Sequence, residues 1–187
     1  MAAYHTVLVH FPIALWIVSV LAITIRAFSE GPLAQAMDRS LPLLLSLGVI
    51  FGIVAYAAGA LIWPWETISS TPMGRNHMMV ASWSLAYFTL LAAIRILRGQ
   101  AIWDGLSRWV MLLLGGIGFV LVGVTGTLGG HLHGSYTELG RVLRWLGLEV
   151  YRTYHVPNLT LVVIVIVSVM LLGLAVIGRV RDQTSPG

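Results

Sequence analysis

The chain has no cysteine. That absence excludes disulfides, thiolate zinc sites, iron–sulfur clusters and covalent c-type haem attachment. Any metal or cofactor must therefore be held by His, Met, Tyr or carboxylate. Lysine is absent too, so all 11 basic residues are arginine. Charge of either sign is scarce, at 10% of 187 residues against 58% hydrophobic, where a soluble domain carries about 25% charged residues. So little polar surface cannot cover a fold in water, and the apolar runs recur along the whole length. The composition is that of an integral membrane protein.

The net charge of +4 does not point to nucleic acid. The arginines stand singly at the ends of apolar runs, which is anchoring and orientation rather than a phosphate-binding stripe. The N-terminus lacks the basic n-region and small-residue cleavage site of a signal peptide, so the first apolar run is expected to be a retained span. No HExxH, nucleophile elbow or phosphate-binding glycine loop occurs. No acidic residue falls in the middle of an apolar run, which removes the intramembrane carboxylate that a proton-coupled transporter uses.

What is present is length. A span needs roughly 20 mostly apolar residues, and five stretches qualify: Val7–Phe28, Leu41–Trp63, His77–Leu97, Ser107–Gly129 and Asn158–Gly178. None shows period-two alternation, so the expected fold is all-α, a polytopic membrane bundle of five transmembrane helices. Arg26 and Arg95, near span ends, are expected to snorkel to the headgroups. Between the fourth and fifth spans, Leu139, Val142, Leu143, Leu146 and Val150 recur at helical spacing with arginines between them. They predict an amphipathic surface helix, opened near Thr137-Glu138 and interrupted at Gly147. The whole, residues 1–187, reads as one domain: a four-helix core at about 7–129, an outer amphipathic loop at 130–157 and a fifth span at 158–178.

Arg95, Arg98 and Arg108 in one loop, with Arg179 and Arg181 at the end, place those regions in the cytoplasm and the N-terminus outside. The expected location is the bacterial inner membrane, in contact with lipid. With that topology, all six histidines fall on the outer side. His5 is expected to be an interfacial residue. His10 precedes Phe11-Pro12 inside the first span, where an ionisable residue is a functional candidate by default. Pro12 lacks an N–H and crowds the Leu8 carbonyl, so it either opens the helix beside His10 or breaks an earlier-starting one. His77 opens the third span. His131 and His133, two apart, cannot both face the bundle on a regular helix, and His155 precedes the fifth span. Trp63-Pro64-Trp65 is a stiff turn at the same level, able to cover a cofactor edge or a quinone head. Gly48/Gly52 and Gly126/Gly130 are small-residue pairs that mark close helix packing or leave room for a flat cofactor.

The segments VHFPIAL at Val9–Leu15, AGALIWPW, the histidine opening the third span, and GTLGGHLHG at Gly126–Gly134 resemble an uncharacterised family of small bacterial polytopic membrane proteins, the DUF2231 type. The resemblance covers roughly residues 4–135. The chain differs in placing His131 between the Gly-Gly pair and His133-Gly134, and in adding the amphipathic loop and a fifth span. Such domains occur beside cytochrome and redox modules, so the resemblance implies electron transfer.

Together these readings predict a redox subunit carrying b-type haem near the outer face, ligated by two of His10, His77, His131 and His133. Where His155 takes part, a second haem is expected. Expected partners are a quinone, other subunits of a membrane redox complex, or a periplasmic cytochrome. Two alternatives stand beside it. One is a copper or zinc site on the same histidines, with Met73, Met78 and Met79 suited to Cu(I). The other is a structural or assembly subunit of a larger complex.

Overall fold

Pro12 has no N–H to give the Leu8 carbonyl, and the first helix is interrupted there. Helix α1 runs Ala2–Leu8 and α2 runs His10–Phe28, with Val9 between them in helical φ, ψ. Of the two roles open to Pro12, breaking an earlier-starting helix is the one found. The structure is a computed structural model and describes residues 2–135 and 137–147, with 162, 163, 166, 167, 169 and 170.

Proline also opens the next two long helices, at the position where its missing N–H costs nothing. Helix α3 is Pro32–Ile62, and α5 is Pro72–Arg98 with Thr71 as N-cap, its side chain accepting from the Gly74 N–H. Between them lies the short α4, Trp65–Ser69. A 3-10 turn, Gly99–Trp103, leads to α6, Ser107–Leu132, and then α7, Glu138–Trp145. Among the described residues, four stretches are long and apolar enough to cross a membrane: Tyr4–Phe28, Pro32–Ile62, Pro72–Trp103 and Ser107–Leu132. The expected fifth span, 158–178, lies outside the described residues apart from six positions, all helical. The amphipathic helix is present at α7. Thr137 caps it, accepting from the Gly140 N–H, and Gly147 follows its end at φ 79°.

Helix α2 packs on α3 and α6, and α5 packs on the same two. The result is a closed four-helix ring with neighbours antiparallel, as short loops demand. Outward-facing Leu21, Ile50, Ile53, Leu90, Phe119 and Val120 are exposed, an apolar collar of the kind lipid requires. Inside, Trp16 stacks on Phe88 with ring centroids 4.4 Å apart and planes 7° from parallel. The indole lies against α3: a Cβ at Gly52 would come within 3.1 Å of it, and one at Gly48 would overlap it. The flat group that the Gly48/Gly52 face admits is the chain's own tryptophan.

The end of the bundle opposite the histidines is pinned by charge. Asp38 is 2% exposed and Arg95 5%. Arg95 NH2 lies 3.0 Å from Asp38 Oδ1, and Nε donates to the same oxygen at 3.1 Å. Trp103 Nε1 donates to Oδ1 at 2.9 Å and Gln100 Nε2 to Oδ2 at 2.6 Å. The backbone joins in. Pro42 inside α3 cannot donate to the carbonyl four residues back, which is that of Asp38, and Arg95 NH2 donates to it instead at 3.3 Å. Arg95 therefore does not snorkel. It is buried with its Nε and Nη2 both answered by Asp38. Arg26 lies over the Trp103 ring, 5.5 Å from its centroid, and Arg108 reaches Glu30 at 2.7 Å.

Candidate functional site: a histidine cluster around Trp63

With neighbours antiparallel, the start of α1, the end of α3, the start of α5 and the end of α6 meet at one end. Every histidine of the described residues is there. Two of them, His5 of α1 and His133 at the end of α6, have their rings near Trp63. The His5 ring stands edge-on to the Trp63 indole, centroids 5.3 Å apart at 89°. The His133 ring is 6.0 Å from the same indole on another side. His77 opens α5 at the same end of the bundle, its ring against Gly129 of α6.

Two of the three imidazoles are seated by glycine. A Cβ at Gly59 of α3 would lie 2.9 Å from His5 Cε1, and one at Gly129 of α6 would lie 3.1 Å from His77 Cε1. The hydrogen bonds then set what each ring offers. His5 Nδ1 is 2.9 Å from the Ala55 carbonyl. A carbonyl only accepts, so Nδ1 carries the proton and Nε2 the lone pair, the state a metal-ligating histidine adopts. The His77 ring makes a hydrogen bond to the backbone of Thr125, and its Nδ1 is buried. Just below, Thr125 Oγ1 and Ser84 Oγ are 2.8 Å apart.

The remaining candidates are placed differently. His10 is exposed and its Nδ1 bonds the Thr6 carbonyl of the preceding turn at 2.6 Å. Trp65 is 67% exposed and stands apart from the Trp63 grouping. His155 lies outside the described residues. His131, 5% exposed, has its Nε2 in use, accepting the Thr137 N–H at 3.1 Å. Thr137 Oγ1 also reaches Thr127 Oγ1 at 3.2 Å, so His131 fastens the turn that launches α7 onto α6. We expect His131→Ala to leave that N–H unsatisfied, at a cost of about 1–3 kcal/mol. Faster amide exchange confined to 134–140 would show it; unchanged exchange would exclude the role.

The structure thus brings together His133 and Trp63 from the sequence candidates, adds His5, seats His77 against Gly129 at the same end, and leaves His10, His131 and Trp65 outside. Among the described residues no group of three or more His, Asp or Glu already forms a metal-ion site. The donors that converge on the cluster are imidazoles. The same pattern of spans and motifs matches a family model, described as predicted membrane protein (DUF2231), over residues 2–138. No curated protein and no solved structure matches the chain.

Proposed function

The chain belongs to the DUF2231 family of membrane proteins, and from that premise we propose that it is a membrane redox subunit, holding b-type haem by histidines at the outer end of its bundle. The observation that carries the reading is the meeting of the His5 and His133 imidazoles, from two separate spans, at one tryptophan, with His77 at the same end of the bundle. Bis-histidine ligation needs imidazoles contributed by different helices, and His5, His77 and His133 are such a set.

The donors fit haem iron. The middle of the bundle does not take the porphyrin, because Trp16 fills the Gly48/Gly52 face. The haem therefore belongs at the histidine end, where Trp63 offers an apolar wall. When bound, it supplies a one-electron couple. The protein's own part is to fix the imidazoles through Ala55, Gly59 and Gly129 and to present the couple close to one membrane surface. Electrons then pass between a quinone and an external partner such as a periplasmic cytochrome or a neighbouring subunit. No histidine of the described residues lies in the opposite half, so a haem relay across the whole membrane is not part of the proposal. The arginines of the Arg95–Arg108 region support, by the positive-inside rule, a reading in which the histidine end and the N-terminus face outward from a bacterial inner membrane and the C-terminus lies in the cytoplasm.

A second reading has its own support. The imidazoles of His5 and His133, both beside Trp63, also suit a bare copper or zinc ion. The deciding experiment is a reduced-minus-oxidised absorption spectrum of protein purified from haem-replete membranes, with metal analysis of the same sample. Sharp α and Soret bands are expected. A flat spectrum with stoichiometric copper or zinc would replace haem by the metal ion. A flat spectrum without metal would leave a structural subunit.

A further inference from the structure

From the way α7 sits on α6, we infer that α7 is a membrane-interface anchor whose arginines hold anionic phospholipid headgroups, with its uncovered apolar face in the acyl boundary. The inference goes beyond the redox reading and does not depend on it.

The side of α6 that the helix occupies is the first observation. Gly116, Phe119 and Val120 are exposed on α6, and Gly123 follows them at helical spacing on the same stripe. A Cβ at Gly123 would lie 3.1 Å from Leu139 Cδ2. Helix α7 therefore packs on the face that α6 turns away from the bundle, not over the bundle's end. Depth is the second. Gly123 stands nine residues before Leu132, the last residue of α6, about 13 Å along the axis. That level is inside the stretch apolar enough to cross a membrane. Thr137, the cap of α7, already reaches Thr127 below the end of α6. A helix at that level and on that face meets lipid.

The third observation is how the surface of α7 is divided. At about 100° per residue, Leu143, Leu139, Leu146, Val142 and Trp145 follow one another around an arc of about 160°. Of this arc only Leu143 is buried, while Val142 and Leu146 are exposed and Trp145 is 85% exposed. An apolar face with a tryptophan beside arginines belongs at the boundary between headgroups and acyl chains. Arg141 and Arg144 continue round the helix from Trp145. Glu138 falls within the arc, and Arg141 answers it as an ion pair. Two arginines against one acid leave the helix positive, which complements the phosphate of an anionic lipid.

The test uses the full chain in nanodiscs of phosphatidylcholine alone, and of phosphatidylcholine and phosphatidylglycerol in equal parts. Because the chain has no cysteine, Val142→Cys takes a single nitroxide label, with Val120→Cys as the lipid-facing reference. Helical circular dichroism and a single gel-filtration peak establish folding of every variant. The label at Val142 is expected to be reached by oxygen, as at Val120, and shielded from a water-soluble nickel complex. The wild type is expected to retain spin-labelled phosphatidylglycerol over phosphatidylcholine. Arg144→Gln should lower that preference about fivefold, the effect of one basic residue at an anionic surface, and Arg144→Lys should keep it. Arg141→Gln should lower it less, since Glu138 offsets its charge, and Glu138→Gln should raise it. A Val142 label open to the nickel complex would show that this face meets water, and one closed to both reagents would show a protein partner. Either result overturns the anchor. A preference unchanged in Arg144→Gln would overturn the headgroup assignment. The haem spectrum is independent of all these outcomes, so this inference and the redox reading fail separately.

Discussion

Replacing Asp38 with alanine is expected to cost the bundle about 3–5 kcal/mol, because it strands Arg95 in a buried site. Both groups are almost fully enclosed, and Asp38 is the common acceptor for Arg95, Gln100 and Trp103. Without the carboxylate, the guanidinium keeps only the Asp38-position carbonyl, and the Trp103 N–H and Gln100 amide lose their acceptor. Arg95→Ala is expected to fall in the same range for the reverse reason, leaving a buried carboxylate with neutral donors only. It also strands the carbonyl that Pro42 cannot serve. Adding Pro42→Ala to Arg95→Ala should recover part of the loss, since alanine returns the helical N–H. Removing both charges with Asp38→Leu and Arg95→Leu should cost much less than the two single losses added together. Reversible unfolding in mixed micelles, followed by helical circular dichroism, measures all four. Single losses below about 1 kcal/mol, the range of an exposed ion pair, would mean that water reaches the site and that this end is not locked.

The same residues show where sequence reasoning succeeds and where it stops. Long apolar runs without alternation specify helices that can cross a membrane, and the parity of the spans puts the histidines at one end. Span edges are less legible. A hydropathy reading starts the second span at Leu41, whereas α3 begins at Pro32. Asp38 and Arg39 look like loop residues until Arg95, far along the chain, neutralises the first of them. The one clue was local: an acid four residues before a proline inside a helix, whose carbonyl must find a donor elsewhere.

Rotation about the helix axis is the other missing quantity. His10 attracts attention because it adjoins Pro12, and His5 looks interfacial, yet the face that meets Trp63 belongs to His5. A sequence gives the angle between the two, but not which of them the packing of α1 on α3 turns inward. The position of Gly59, facing His5, could have raised its standing. In isolation that glycine reads as one more small residue in an apolar helix.

Trp16→Ala is expected to be the costliest change in the apolar core, about 3–5 kcal/mol, the range for removing a buried large aromatic. The ring is held between Phe88 and the glycine face of α3, so its loss opens a cavity that three helices must share. Gly48→Ala should act through the same ring from the other side. Its Cβ would overlap the indole, and overpacking of that kind costs about 1–3 kcal/mol. The decisive quantity is the coupling between them. With the indole gone, the added methyl has free space, so Gly48→Ala should be neutral or stabilising in the Trp16→Ala background. Unfolding of the four proteins of the cycle, with Trp16 fluorescence as a second reporter in those that keep it, measures this. Additive losses would show that Gly48 is small for some reason other than Trp16. The glycine face of α3 would then again be free to receive a flat ligand, and the porphyrin would no longer be confined to the histidine end. Strong coupling would keep the interior closed, and the proposed haem at the histidine end.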